Sequence, residues 1–322
     1  MNGDETATDT SCPVCGSALA PVGRSYSVEE LFSLWEPMHR FSDGVAVQHR
    51  EQSSSTRLHV CPGCLLGIYL PRIIGTRAFY EELGANMEYY SDSKWDFTVA
   101  LRDCKACDSL IEIGCGPGSF LRLASQKVPQ VYGTELNEDA RRVAQSQGFS
   151  AFGAADIPER LRGHLAAAFS FHVLEHVEDP MAFMRELCSW IRPGGKIGLS
   201  VPNQDGPVKY IDPCIMNMPP HHATRWRLPT LRILADRLGM EIKRVAYEPL
   251  LLRSHYYYSS YWIRQKCQGR THIHRAGRAL AERGLRRFFE LMSKTGAEYF
   301  PLLRGQSIYV LMTSARAGRN KG

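Results

Sequence analysis

Three groups of residues in this 322-residue chain have types and spacings that can do chemistry. The first is a set of two Cys-x-x-Cys pairs, Cys12-Pro-Val-Cys15 and Cys61-Pro-Gly-Cys64. Four thiolates match the tetrahedral coordination of Zn²⁺, and Pro and Gly within the pairs allow the tight turn that aims both sulfurs of a pair at one ion. The pairs lie far apart for a compact zinc ribbon, which an inserted helix accounts for. Two such pairs leave no open coordination position, so the ion is expected to be structural. A third pair, Cys104-Lys-Ala-Cys107, contains neither Pro nor Gly and reads as buried or free thiols.

The second group is Leu110-Ile-Glu112-Ile-Gly114-Cys115-Gly116-Pro-Gly118, placed where a strand gives way to a helix. Glycines there let the chain turn sharply and let backbone N–H groups approach a ligand. Glu135 ends the next strand, where a carboxylate can accept both hydroxyls of a ribose. Asp156, further on, can accept from an adenine amino group. A Rossmann dehydrogenase uses a similar loop, but its G-x-G-x-x-G spacing is missing, with Ser119 and Leu121 following Gly118. The third group is His172, Glu175 and His176, together with the adjacent pair His221-His222. Histidine is the side chain best poised to take or give a proton near neutral pH.

The elements that must position these groups follow from periodicity. The capping pattern Ser27-x-x-Glu30, ahead of Leu31, Leu34 and Trp35, predicts a short helix between the cysteine pairs. Two further helices are expected over 76–83 and 94–103, joined by Glu88-Tyr89-Tyr90. From 109 onward short apolar runs alternate with amphipathic helices. Strands are expected at 109–113, 131–135, 167–172 and 196–201, with helices at 118–126, 138–147 and 180–191. That alternation means a parallel sheet covered on both faces, an α/β fold. A helix at 228–238, a strand at 241–247 and a last strand at 307–312 follow. The third group then falls at carboxyl ends of strands, where open α/β sheets bind ligands.

Composition narrows the class. A hydrophobic share of 44% with 22% charged residues excludes a mostly disordered chain. No apolar run approaches the length of a membrane span, and the N-terminal MNGDETATDTSC has neither the basic start nor the apolar stretch of a secretory signal. The expectation is a soluble, cytoplasmic protein whose ten cysteines serve thiolate or metal chemistry. Charge is unevenly placed: residues 251–322 carry 14 Lys and Arg against 3 acidic residues, while 1–250 carry 25 against 30. A basic C-terminal quarter suggests an anionic partner, substrate or surface.

Taken jointly, Leu110–Gly118, Glu135, Asp156, the run Phe171-His-Val-Leu-Glu-His-Val-Glu-Asp-Pro180 and Ile191-Arg-Pro-Gly-Gly-Lys196 leading into Val201-Pro-Asn203 resemble the class I S-adenosylmethionine (SAM) methyltransferases. The resemblance spans roughly residues 88–313. It implies a seven-stranded Rossmann-like sheet with the last strand antiparallel and SAM across the carboxyl ends of the strands. The cofactor contacts it implies are Glu112, Gly114, Cys115, Gly116, Gly118, Glu135, Leu136, Asp156, His172 and Tyr90, with Tyr89, Lys94 and Trp95 close by. The N-terminal cysteines, Leu58-His-Val-Cys61-Pro-Gly-Cys64, Phe79-Tyr80-Glu81 and Met218-Pro-Pro-His-His-Ala-Thr-Arg-Trp226 further resemble deoxysugar C-methyltransferases and methyltransferases of bacterial polysaccharide and glycolipid assembly. This chain departs from that pattern at Leu65, where a Gly commonly follows the second cysteine pair.

The resemblance implies methyl transfer to a sugar-type acceptor, nucleotide- or lipid-linked, at oxygen or carbon. His221 or His222 is then the leading candidate base, with Glu175 and His176 beside it. Arg225 and Trp226 are candidates to grip a phosphate and a sugar face. The expected organisation is a zinc-binding module at 1–75, a helical linker or cofactor cap at 76–108, the SAM-binding core at 109–250, a basic aromatic helical insertion at 251–303, a last core strand at 304–313 and a frayed tail at 314–322. Within the insertion, 275–294 is amphipathic and basic, suited to an anionic membrane surface or a phosphate-linked acceptor. Two alternatives stay open: an RNA base methyltransferase with an N-terminal zinc finger, nucleic acid being the less favoured partner, and a non-catalytic interaction module built on the SAM fold.

Overall fold

The cysteine pairs sit at one end of a four-stranded antiparallel sheet in the computed structural model, which describes residues 10–86, 90–266, 272–295 and 299–314. Glu88, Tyr89 and the tail beyond Ser314 lie outside the described residues. The chain begins with β1 (Ala20–Ser27), α1 (Val28–Trp35), α2 (Asp43–Gln52), β2 (Ser55–Val60), β3 (Gly67–Leu70), α3 (Arg77–Asn86) and α4 (Trp95–Asp103). Helix α1 starts where the capping pattern predicts. The Glu30 N–H donates to Ser27 Oγ at 3.1 Å, and the Ser27 N–H donates to the Glu30 carboxylate at 2.9 Å. Its Trp35 is fully buried against Phe41 and Phe79, with Val45 and Leu83 completing a small core. Burying each such side chain contributes about 1.5–3 kcal/mol.

The second sheet comprises β4 (Ser109–Ile113), β5 (Gln130–Thr134), β6 (Ser150–Phe152), β7 (Leu165–Phe171), β8 (Ile191–Pro202), β10 (Met240–Leu251) and β11 (Tyr299–Ser314). Helices α5 (Ser119–Ala124), α6 (Glu138–Ser146), α7 (Pro180–Trp190) and α8 (Leu228–Arg237) alternate with its strands, and the two-residue β9 (Thr224–Arg225) precedes α8. The strand order is β10-β11-β8-β7-β4-β5-β6, a seven-stranded sheet of the α/β class. Strands β6, β5, β4, β7 and β8 pair in parallel. The chain leaves β4 toward β5 and β6, then returns to its other side through β7 and β8. The crevice at the carboxyl ends of β4 and β7 is therefore a topological switch point, where such sheets bind ligands. Strand β8 begins five residues before the predicted start at 196, because Ile191 already pairs with Leu165 and residues 192–195 loop out of register.

Cys104 and Cys107 belong to the apolar core beneath β4, as buried thiols. Burial pushes the Cys104 thiol up to about 12. The short β9 does not join this sheet: it pairs with β3, Ile68 opposite Thr224, and closes the edge of the N-terminal sheet.

Residues 203–214 and 247–308 form a second compact unit. In it α9 (Leu252–Lys266) lies along α10 (His272–Lys294), with Arg264 Nε on the Glu282 carboxylate at 2.9 Å and Phe289 buried beside His255 and Tyr256. The expected apolar stripe of α10 is only partly buried. Phe289 is covered, but Phe288 is exposed, as are Leu280 and Leu291, among outward-facing Arg275, Arg283, Arg286 and Arg287. No described helix is long and apolar enough to cross a membrane.

Candidate active site

At the end of β4 three glycines adopt left-handed conformations, Gly114 at φ 81°, Gly116 at 53° and Gly118 at 89°. Side chains are strained in that region, so the turn selects glycine. The N–H groups of Gly114 and Cys115 both donate to the Thr134 carbonyl, at 2.9 and 2.8 Å, which ties the loop to the end of β5. The carboxylate of Glu135 is held at that strand tip by two backbone donors, Gly116 N–H and Asn137 N–H, each at 2.8 Å. Burial raises its pKa, and those two hydrogen bonds pull it back.

The ring of Tyr90 lies on Gly116, so that a Cβ there would come within 2.8 Å of it. Leu136 is 76% exposed next to Glu135, and Asp156 is exposed in the turn after β6. Glu112 is buried within β4, where desolvation pushes its carboxyl well above the ordinary range. The Cys115 side chain is buried and would meet any Cβ added at Gly133, so only its backbone can face a ligand.

A second constellation forms at the end of β7. His172 is itself left-handed, φ 56°, and its N–H donates to the Ser200 carbonyl at 2.9 Å. Its ring stands between two buried carboxylates, Nε2 at 3.2 Å from Asp96 and Nδ1 at 3.3 Å from Glu175. Burial opposes a charge on this ring, but Asp96 and Glu175 outweigh it and raise the pKa to about 9, leaving an imidazolium at neutral pH. The same Glu175 oxygen lies 3.8 Å from His176 Nε2 and 3.9 Å from His222 Nε2.

His176 Nδ1 donates to the His221 carbonyl at 2.6 Å, and the Tyr80 hydroxyl donates to that carbonyl at 3.1 Å. The rings of His221 and His222 stack at 4.3 Å, with His176 edge-on to both at 4.7 Å. Burial lowers the pKa of His176 and, far more, those of His221 and His222, so these three rings are neutral. The structure thus brings His172, Glu175, His176, His221 and His222 into one cluster. Two backbone bonds draw the segments together, from Ala223 and Thr224 N–H to the Glu175 carbonyl at 2.9 and 3.2 Å. The β3–β9 pairing pins the histidine pair from the other side.

Arg225 and Trp226 are corrected from ligand contacts to structural groups. Trp226 is fully buried with its indole N–H on Thr224 Oγ1 at 2.9 Å. Arg225 lies over the Tyr69 ring and donates to the Tyr69 hydroxyl and the Asn217 carbonyl. Three members of the cluster were missed from the sequence: Tyr80, Asp96 and Asn217, the last 3.5 Å from His222 Nδ1. Tyr80 carried a weak signal in its aromatic phrase. Asp96, between Trp95 and Phe97 in α4, carried none.

The four N-terminal sulfurs also converge. Cys12 and Cys64 Sγ are 3.4 Å apart, Cys15 and Cys61 Sγ 3.3 Å, and all four lie within 4.8 Å of one another. The two turns are built alike, the Gly16 N–H donating to Cys12 O at 2.8 Å and the Leu65 N–H to Cys61 O at 2.9 Å. Leu65 accordingly takes a left-handed φ of 68°, where the first turn uses Gly16 at 80°. Among these thiols the Cys64 contact holds Cys12 down at about 5, while Cys64 itself is pushed up. Such a donor set fits a tetrahedral metal ion.

Comparison with known proteins bears on the core. A ubiquinone biosynthesis O-methyltransferase of Idiomarina loihiensis is 29% identical over 104 residues, which is 30% of this chain and 43% of that protein. A tRNA U34 carboxymethyltransferase of the same organism is 28% identical over 174 residues, 48% of this chain and 52% of that protein. The chain thus spans about half the length, or less, of these curated relatives. Among solved structures, a SAM-dependent methyltransferase from Archaeoglobus fulgidus aligns at 17% identity with a TM-score of 0.42, covering 68% of this chain and 94% of that one. A family profile described as a methyltransferase domain matches residues 83–245, half of the sequence. The chain belongs to this methyltransferase-domain family.

Proposed function

We propose that this protein transfers the methyl group of SAM to a hydroxyl or carbon of a sugar-type acceptor, nucleotide- or lipid-linked, with histidine-assisted loss of the acceptor's proton. The residues present fit the cofactor. The left-handed glycine turn suits its amino-acid end, the Glu135 carboxylate suits its ribose, and the exposed Leu136 and Asp156 suit an adenine. Bound there, SAM supplies an electrophilic methyl on a sulfonium.

The observation that carries the reading is the neutral histidine cluster packed around buried Glu175 at the carboxyl end of β7. A neutral His221 or His222 can accept the acceptor's proton. Glu175 then stabilises the imidazolium formed, as a buried carboxylate does in a catalytic triad. Holding the acceptor about 3 Å from the methyl carbon and in line with the breaking bond is the protein's other task. The name of the ubiquinone-pathway relatives favours oxygen as the accepting atom. The exposed arginines of α10 favour an anionic link in the acceptor or an anionic membrane surface. The four-cysteine cluster is read as a structural zinc site that holds the N-terminal sheet together.

The test offers SAM labelled in its methyl group, with the full chain, to RNA, nucleotide-sugar and glycolipid fractions. Label in a sugar fraction, lost in the His221→Ala/His222→Ala variant, supports the proposal. Label in RNA that disappears on nuclease treatment overturns it in favour of RNA methylation.

A further inference from the structure

The space between His176, His222 and Glu175 is lined by acceptors. His176 spends its ring proton on the His221 carbonyl through Nδ1 at 2.6 Å, so its Nε2 presents a lone pair. His222 turns Nδ1 to Asn217 Oδ1 at 3.5 Å, which leaves Nε2 in the same condition. Both Nε2 atoms face one oxygen of Glu175, at 3.8 and 3.9 Å. Glu175 is fully buried, and apart from His172 Nδ1 at 3.3 Å its carboxylate has no hydrogen-bond partner among the described residues. His172 is itself shared with buried Asp96 on its other side. Lone pairs facing one another around a buried carboxylate call for a cation.

The distances suit a metal ion. Two donors each about 2.1 Å from zinc can be at most about 4.2 Å apart, and both measured separations fall inside that limit. The ring donors of His176, His221 and His222 all lie within 4.8 Å of one another, the same closeness the four cysteine sulfurs show. Ligating histidines characteristically donate their second ring nitrogen to a carbonyl or carboxylate, as His176 does to His221 O and His222 toward Asn217.

We infer that His176, His221, His222 and Glu175 form a second metal site, distinct from the cysteine cluster, for a divalent transition ion that favours imidazole, with zinc the representative ion. The consequence for catalysis rests on the histidine-base reading above. The lone pairs that would take the acceptor's proton are those that bind the ion, so filling the site switches methyl transfer off.

The experiment loads the full chain with Zn²⁺ and, separately, with Co²⁺, and counts bound ions after removal of excess. Two ions per chain are expected, the first giving intense thiolate charge-transfer bands with cobalt and the second giving weaker bands without thiolate character. The variants His176→Gln and His222→Gln are expected to bind one ion with the thiolate bands unchanged. Asn217→Ala is expected to weaken the second site about 10- to 100-fold, as loss of a partner to a ligating histidine does. One ion in the wild-type chain, or two in the histidine variants, overturns the site. Methyl transfer that falls as the second ion binds and recovers on mild chelation supports the switch. A second ion that binds without changing transfer leaves the site standing and removes the histidine-base reading instead.

Discussion

The glycine loop and the histidine cluster stand at the carboxyl ends of neighbouring strands, β4 and β7, yet they are made of different material. The loop is backbone: three left-handed glycines in five residues, two N–H groups on the Thr134 carbonyl and the Gly116 N–H on the Glu135 carboxylate. The cluster is side chains, brought from α3, α4, the turn after β7 and the segment before β9. Glu135 is anchored by two backbone donors, whereas the partners of the Glu175 carboxylate among the described residues are imidazoles. A backbone-built site binds and holds its ligand with little dependence on protonation. A side-chain cluster with an unsatisfied carboxylate is poised to move a proton or take a cation, at some cost to the stability of the fold.

The comparison predicts opposite consequences for substitutions in the two halves. The largest effect is expected from Glu175→Gln, which removes the charge that stabilises a histidine imidazolium. Turnover should fall by about 10²–10⁴, the usual weight of acid–base catalysis, while SAM affinity by calorimetry stays unchanged. A matching loss of SAM affinity would show that the cluster belongs to the cofactor half. In the loop, Gly116→Ala places a Cβ on the Tyr90 ring and a side chain in the left-handed region. It should cost about 1–2 kcal/mol, read as about 5- to 30-fold weaker SAM binding in the same calorimeter, with circular dichroism unchanged.

The two cysteine turns allow a smaller and sharper contrast. Leu65 holds the conformation that Gly16 holds in its counterpart, so Leu65→Gly should stabilise the chain by about 1 kcal/mol and Gly16→Leu destabilise it by about 1–2 kcal/mol. Thermal unfolding of the zinc-loaded chain reads both. A fall in melting temperature for Leu65→Gly would show that the leucine contributes more by packing than its backbone costs.

The smallest effect is a pH dependence at His49. This ring is buried between Phe32 and Phe79, donates from Nδ1 to Val45 O at 2.7 Å and accepts the Thr76 N–H at Nε2, and burial lowers its pKa below 6.5. The unfolded chain binds the proton first as pH falls. The stability contributed by neutral His49 is therefore fully present above about pH 6.5 and is lost as pH drops toward the depressed folded value. The difference in melting temperature between the wild type and His49→Phe should shift against the wild type on acidification.

Much of the fold was legible because it is written in contiguous residues. The apolar run at β4, the Asp179–Pro180 start of α7 and the Ser27–Glu30 cap of α1 each state their own boundary, and the structure places those elements within a residue or two of the prediction. The N-terminal sheet was not legible. Strand β1 buries only Tyr26, β3 has four residues, and β9 has two, supplied from the far side of the core. Helix α2 was missed because Val45 and His49 are its only buried residues, too few for a helical stripe.

The same division holds at the site. The glycines and Glu135 can be read in order along the chain, and the histidines stood out by type. The arrangement around them is a product of tertiary packing: Asp96 is an acidic residue inside an apolar helical turn until α4 sets it 3.2 Å from His172. Tyr80 becomes a partner of His176 and the His221 carbonyl only once α3 packs there. Arg225 and Trp226 mislead in the opposite sense, because their types suit ligands while Trp226 is fully buried and Arg225, in the β3–β9 pairing, donates to Tyr69.

The division of labour between the two halves is tested most directly by measuring SAM affinity and methyl transfer side by side in Glu135→Ala and in His221→Ala/His222→Ala. Loss of Glu135 should remove a charge-assisted contact of about 1.5–3 kcal/mol and weaken SAM binding by about 10- to 100-fold. The double-histidine variant should bind SAM as the wild type does and lose transfer. A double-histidine variant that retains transfer, or a Glu135→Ala variant that binds SAM with undiminished affinity, would contradict the account.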